Sequence, residues 1–161
     1  MHNKLMDFAQ AARTIAAECT CLRARQAARA LSKIYDEALR PSGVQASQLA
    51  VLVAVAHFGE RGASAHALAD VLVMDRSTLS RNLRPLEKQG LLRVARAPED
   101  ARLRLALLTK QGERVLELVY PLWLSAQQEV EERTGGQAPR AARESLVRLV
   151  KALGDDNRFK S

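Results

Sequence analysis

Between Asp75 and Lys88 the chain reads DRSTLSRNLRPLEK, and its polar side chains are of the kinds that bond to nucleic-acid bases. At helical spacing Ser77 or Thr78, Arg81, Arg84 and Lys88 fall on one side, with Leu79, Leu83 and Leu86 on the other. Arg81 has the fork that fits guanine O6 and N7, and Asn82 has the amide that fits adenine N6 and N7. Arg76 belongs to the first turn, where free N–H groups and the helix dipole suit a phosphate. Farther along, Arg96, Arg102 and Arg104 cluster around a Pro-Glu-Asp turn, and arginines so placed suit phosphates or a minor groove. A solvated charged face would have the same composition, so the surrounding elements must decide.

Those elements are read from Ala65 to Thr109. A short apolar helix, Ala65–Leu72, meets the turn Val73-Met74-Asp75, and Asp75 is placed to cap the helix that follows. Pro85 removes one backbone bond from that helix and predicts a bend or an early end. Two strands follow, Leu91–Val94 and Arg102–Leu107, around the loop Ala97–Ala101. Arg102 and Arg104 alternate with leucines and so share a face. Asp100 is expected to pair with the Arg102 guanidinium. The order is that of a helix-turn-helix followed by a β-wing, a device that seats one helix in a DNA groove.

On either side the pattern is helical. Residues 13–39 predict one long helix, stopped by Pro41-Ser42-Gly43. In the next helix Leu49, Leu52, Val53 and Ala56 make an apolar surface, expected to be buried. Ser47 and Ser64 are candidate helix caps and, as helix N-termini, candidate phosphate positions. Thr109 is expected to cap a second long helix that Gly135-Gly136 ends, and Pro139 fits the first turn of the last helix. The apolar stripes of the first and last helices need each other or a second chain, and a dimer suits a reader of palindromic DNA. The fold class is therefore mainly α with a small β-wing. The expected domains are a dimerisation helix region (1–44), a winged helix-turn-helix (45–108) and C-terminal dimerisation helices (109–161).

The bulk numbers agree. The chain has 161 residues, enough for one domain with a dimerisation extension, and a formal charge of +7 that favours polyanionic partners. Cys19 and Cys21 are too few for a disulfide framework. No signal peptide is read, and the apolar run Leu49–Ala56 falls far short of the ~20 residues of a membrane span. A soluble cytoplasmic protein without a membrane partner is expected.

The stretch LADVLVMDRSTLSRNLRPLEKQGLL (68–92) and the wing PEDARLRLALLTKQG (98–112) resemble the MarR family of winged-helix transcriptional regulators. Asp100, Arg102, Thr109 and Gly112 match its D-x-R…LT-x-x-G pattern, and YDEALRPSGV (35–44) and PLW (121–123) also fit. The resemblance implies an obligate homodimer on a pseudo-palindromic double-stranded operator, usually a repressor. It carries recognition-helix contacts to Ser77, Thr78 and Arg81 and the wing contact to Arg102. Val94-Ala95 departs from it where the family often has basic residues, leaving Arg93 or Arg96 to substitute.

Two triggers are compatible with this reading. A small aromatic or lipophilic effector could meet Tyr35, His57, Tyr120 and Trp123. In the peroxide-sensing, OhrR-like branch of the family, the reactive cysteine and a tyrosine stand at places matching Cys21 and Tyr35. Here, however, further tyrosines of that branch are replaced by Arg25 and Ala46. Cys19 and Cys21, read as two residues of one helix, point apart and are not expected to pair; plain packing is the expected role of both. An enzyme is disfavoured, since His2, His57 and His66 show no metal or triad spacing and no phosphate loop occurs; no metal and no cofactor are expected. A dimerisation module that binds no DNA would leave the Ser-Arg-Asn helix unexplained.

Overall fold

The computed structural model describes residues 7–100 and 102–154; His2 and Ala101 lie outside them. The chain forms two compact units, Met1–Lys33 and Ile34–Ser161. In the first, the expected continuous helix is interrupted. Helix α1 spans Phe8–Glu18, α2 spans Thr20–Leu39, and Cys19 between them is extended (φ −71°, ψ 103°). The Cys19 sulfur takes the place of a cap oxygen by accepting the Leu22 N–H at 3.4 Å. No residue of α1 is buried, and Phe8 and Ile15 on it are exposed.

The second unit begins at Ile34, within the C-terminal turns of α2. A 3-10 turn through Pro41 reaches Gly43 in the left-handed region, as the Pro-Ser-Gly signal predicts. Helix α3 (Ala46–Phe58) is capped by a pair of glutamines: the Gln45 N–H donates to Gln48 Oε1 at 2.9 Å, and the Gln45 side chain accepts in return. Asp36 accepts the Ala46 N–H at 2.7 Å. Ser47, the expected cap, is exposed one residue inside the helix. The buried apolar side chains of α3 are Val51, Leu52, Ala54 and Val55, joined by the capping Gln48, whereas Val53 and Ala56 face outward; the apolar run is not buried all round.

Helices α4 (Ala65–Leu72) and α5 (Arg76–Lys88) pack on α3, and the core joins Val51, Leu52, Val55, Leu68, Leu79, Leu86, Leu91 and Leu92. The sheet has three strands where two were expected. A two-residue strand β1 (Ala63–Ser64) lies on one side of β3 (Arg104–Leu108), and β2 (Leu92–Arg96) lies on the other, all antiparallel. Gly62 before β1 has φ +69°, and a Cβ there would stand 3.0 Å from Leu107 Cγ, so both conformation and space favour glycine.

Helix α6 (Lys110–Thr134) starts against the base of the wing. Thr109 caps it, accepting the Gly112 N–H at 3.0 Å, while its own hydroxyl donates to the Gly90 carbonyl at 2.6 Å. A Cβ on Gly112 would fall 2.3 Å from the Leu91 carbonyl oxygen, which explains the Thr-x-x-Gly spacing as a close approach of helix to loop. Gly135 in the left-handed region ends α6, and α7 (Gln137–Gly154) follows with Pro139 in its first turn. Leu146, Val147, Leu149, Val150 and Leu153 of α7 remain exposed. Among the described residues no single helix is long and apolar enough to cross a membrane.

Candidate nucleic-acid interface

Helix α5 is set by its two faces and its cap. Leu79 and Leu86 are buried, while Arg76, Ser77, Arg81, Arg84 and Lys88 are exposed, the division that the spacing predicts. Ser64 accepts the Ala67 N–H at 3.1 Å to start α4. The turn between α4 and α5 places Val73 at φ 50°, a left-handed conformation that costs a β-branched residue ~1–2 kcal/mol.

Asp75 then gathers the first turn of α5. Its Oδ1 accepts the Thr78 N–H at 2.8 Å and the Ser77 hydroxyl at 2.6 Å, and its Oδ2 accepts the Thr78 hydroxyl at 2.7 Å. The Ser77 and Thr78 hydroxyl bonds, with the Thr78 backbone bond, hold its carboxyl far below the usual carboxylate range. One turn on, Arg81 donates from Nη2 to Thr78 Oγ1 at 3.2 Å and from Nε to the Ser77 carbonyl at 3.4 Å. Asn82 is half-buried and turns back, its Nδ2 donating to the Thr78 carbonyl at 2.9 Å. That bond takes one of the two Nδ2 protons, and an adenine contact would use the other together with Oδ1. Pro85 does not end the helix, which runs to Lys88 and closes through Gln89 N–H on the Pro85 carbonyl at 2.9 Å. Because Lys88 stays on the helix, the exposed stripe continues past the proline.

The wing brings three arginines to its tip. Arg96 and Arg104 are cross-strand partners, on the ribbon face that carries Leu92 and Ala106 at its base. Arg102 lies in the turn, ahead of β3 rather than inside it. Its link to Asp100 also differs from expectation: the bond at 2.9 Å runs from the Arg102 backbone N–H to Asp100 Oδ1, not from the guanidinium. Asp100 therefore shapes the turn, as aspartates commonly do, and leaves the Arg102 side chain to solvent. Arg93 is exposed on the opposite face of β2.

The residues read as an effector site divide. Trp123 stacks on Tyr120 with ring centroids 6.1 Å apart and an angle of 22°. Trp123 also lines an open groove of about 510 Å³ between α6 and α7 with Leu124, Gln127, Gln128, Glu131 and Arg143. The Tyr35 hydroxyl donates to Gln127 Oε1 at the edge of this groove. Burial pushes the Tyr35 phenol above its usual value, against the pull of Arg143. Gln127 and Arg143 carry no sequence signal of their own; only their position across two helices shows them. His57 lies elsewhere, exposed at the end of α3 with its ring edge-on to Phe58. Cys21 is exposed on α2 in the first unit. Among the described residues no three His, Cys, Asp or Glu side chains come together as a metal site.

Comparison with known proteins fits this geometry. Residues 42–103 match the model of the MarR family. The transcriptional regulator HosA of Escherichia coli O111:H- is 31% identical over 106 residues, spanning 66% of this chain and 74% of HosA. The chain belongs to the MarR family. As a MarR-family protein it is a DNA-binding transcriptional regulator built on a winged helix, not an enzyme. A crystal structure of the Mycobacterium tuberculosis regulator MosR in complex with DNA is 36% identical, covers 84% of this chain and 96% of MosR, and superposes with a TM-score of 0.71. BpsR of Bordetella bronchiseptica, whose DNA binding is regulated by 6-hydroxynicotinic acid, is 25% identical, covers 86% of this chain and 95% of BpsR, and gives a TM-score of 0.69.

Proposed function

We propose that the protein is a cytoplasmic homodimer that represses nearby genes by holding a pseudo-palindromic operator and lets go when a small aromatic or lipophilic molecule binds. The observation that carries the reading is the outward face of α5, where Ser77, Thr78, Arg81, Arg84 and Lys88 stand clear of the core beside a wing tipped with Arg96, Arg102 and Arg104. Arg76 adds a charge at the helix start. The apolar face of α7 supports the dimer, because Leu146, Leu149, Val150 and Leu153 side chains exposed together favour burial against a second copy. On this reading residues 1–44 and 109–161 hold the dimer and 45–108 read the duplex.

Trp123, Tyr120 and Arg143, an aromatic pair beside a cation, support that effector class, and the regulation of BpsR by 6-hydroxynicotinic acid is in keeping with it. Selection from a random duplex library tests the whole reading. Two chains per selected duplex are expected, with Leu149→Glu giving monomers that lose the preference, and aromatic acids releasing the wild type. A wild type that binds all duplexes equally overturns it.

A second trigger is favoured by one observation, the exposure of Cys21. Attack of its thiolate on a peroxide would give a sulfenic acid and release an alcohol or water. Peroxide should then release wild-type protein from the selected duplex but not Cys21→Ser.

A further inference from the structure

Arg81 is not a free side chain on the surface of α5. Two of its donors, Nε and Nη2, are already engaged by the Ser77 carbonyl and the Thr78 hydroxyl. These two nitrogens form the side edge of the guanidinium, so the end edge, Nη1 with the second Nη2 proton, is the one left to project. The Thr78 hydroxyl has a single proton, and it lies on Asp75 Oδ2 at 2.7 Å, so the oxygen turns its lone pairs toward Arg81. Asp75 is thus the far end of a chain in which a guanidinium donates to a hydroxyl and the hydroxyl donates to a carboxylate. The carboxylate link is short at 2.7 Å and the guanidinium link longer at 3.2 Å, with a charged group at each end.

Resting on the reading of α5 as the base-contacting helix, we infer that Asp75 is a positioning residue that selects the base pair read by Arg81, acting through the Thr78 hydroxyl. A carboxylate so close to DNA phosphates would by itself oppose binding. Here its charge is taken up by three donors of its own first turn, and what it provides in exchange is a fixed direction for the arginine fork. The remaining end edge has the two parallel N–H groups that guanine O6 and N7 require. Without the chain, Arg81 has the freedom of a long flexible side chain and meets several base pairs with similar energies.

The test uses the full-length protein, a random duplex library, the duplex selected from it, and that duplex with each base pair changed in turn. In Thr78→Val and in Asp75→Ser, discrimination at the base pair whose preference Arg81→Ala abolishes should fall by about tenfold, the order of a bidentate arginine–guanine contact. Serine keeps a cap acceptor for the Thr78 N–H but has no second oxygen for the hydroxyl. Thr78→Ser keeps the hydroxyl and should keep the discrimination. Thermal melting of each variant identifies the folded ones, and Asp75→Ser carries the test should Thr78→Val not fold. If Arg81→Ala loses the preference while Thr78→Val and Asp75→Ser retain it, the chain of bonds has no positioning role and base reading by Arg81 stands. If Arg81→Ala itself keeps the wild-type preference, both ideas fail at that residue.

Discussion

Arg96 and Arg104 are direct partners across the β2–β3 ribbon, so two guanidinium groups share one face at the tip of the wing. Like charges opposite one another weaken a strand pair. The arrangement makes sense when an anion lies between or over them. Replacing both with glutamine should lower affinity for random duplex DNA and flatten its salt dependence. The slope of log K against log salt should fall by about 0.9 for each phosphate that is no longer neutralised. A titration series at several salt concentrations measures this, and an unchanged slope would show that the pair stays off the DNA.

The Asp75 carboxyl titrates well below its usual range because its two hydroxyl bonds and one backbone bond favour the charged form. A group whose folded pKa is lowered stabilises the fold above its unfolded value, about 3.9 for aspartate, and loses that contribution as the pH drops toward the folded value. Wild type should therefore be more stable than Asp75→Ala at neutral pH, and the gap should narrow progressively below about pH 4. Urea unfolding at a series of pH values reads the gap directly. A gap that widens in acid would contradict the assignment.

Val73 holds the turn between α4 and α5 in a left-handed conformation, and its side chain is 63% exposed, so little packing is at stake. Glycine removes a strain of ~1–2 kcal/mol but adds roughly 0.5–1 kcal/mol of unfolded-state freedom. Val73→Gly should thus stabilise the protein by up to about 1.5 kcal/mol. Val73→Ala keeps a Cβ and should gain little. Denaturant midpoints of the two variants separate the effects.

Gly112 has the opposite character. Its backbone passes so near Leu91 that an added methyl would overlap the carbonyl oxygen at 2.3 Å. Gly112→Ala should cost about 1–3 kcal/mol, the usual range for overpacking. The loss should appear as a lower urea midpoint with an unchanged slope.

The features legible in the sequence are those decided within a few residues. Asp75, Ser64 and Thr109 cap their helices because a short acceptor before an apolar run needs only its own next turn. Leu79 and Leu86 are inward for the same local reason, their period. What sequence could not supply depends on distant neighbours. Strand β1 is two residues long and exists because Ala63 pairs with Ala106. Gln45 and Gln48 displaced Ser47 as the start of α3, a choice set partly by Asp36 reaching across from α2. At Cys19 the apolar period from Ile15 to Leu22 runs straight through, and the low helix propensity of Thr20 and Cys21 is too weak a signal to place a break. In the candidate site, residue types were readable but bonding was not: Asn82 and Asp100 each commit one polar atom to the backbone.

The junction of Thr109 and Gly112 with Gly90 and Leu91 has a mechanical consequence. Thr109 is bonded to the carbonyls of both residues, which come just after the Gln89 cap of α5, and Gly112 lets the backbones come close. These bonds tie the start of α6 to the loop that leaves α5. With 25 residues at ~1.5 Å each, α6 is a lever of about 37 Å. A tilt of about 5° displaces its far end by about 3 Å. A push at Trp123 acts about halfway along that lever, and one at Gln127 about 25 Å from its start. The wing base is then less a hinge than a tether between the start of α6 and the loop that follows α5, and Pro121 marks where α6 itself bends most readily.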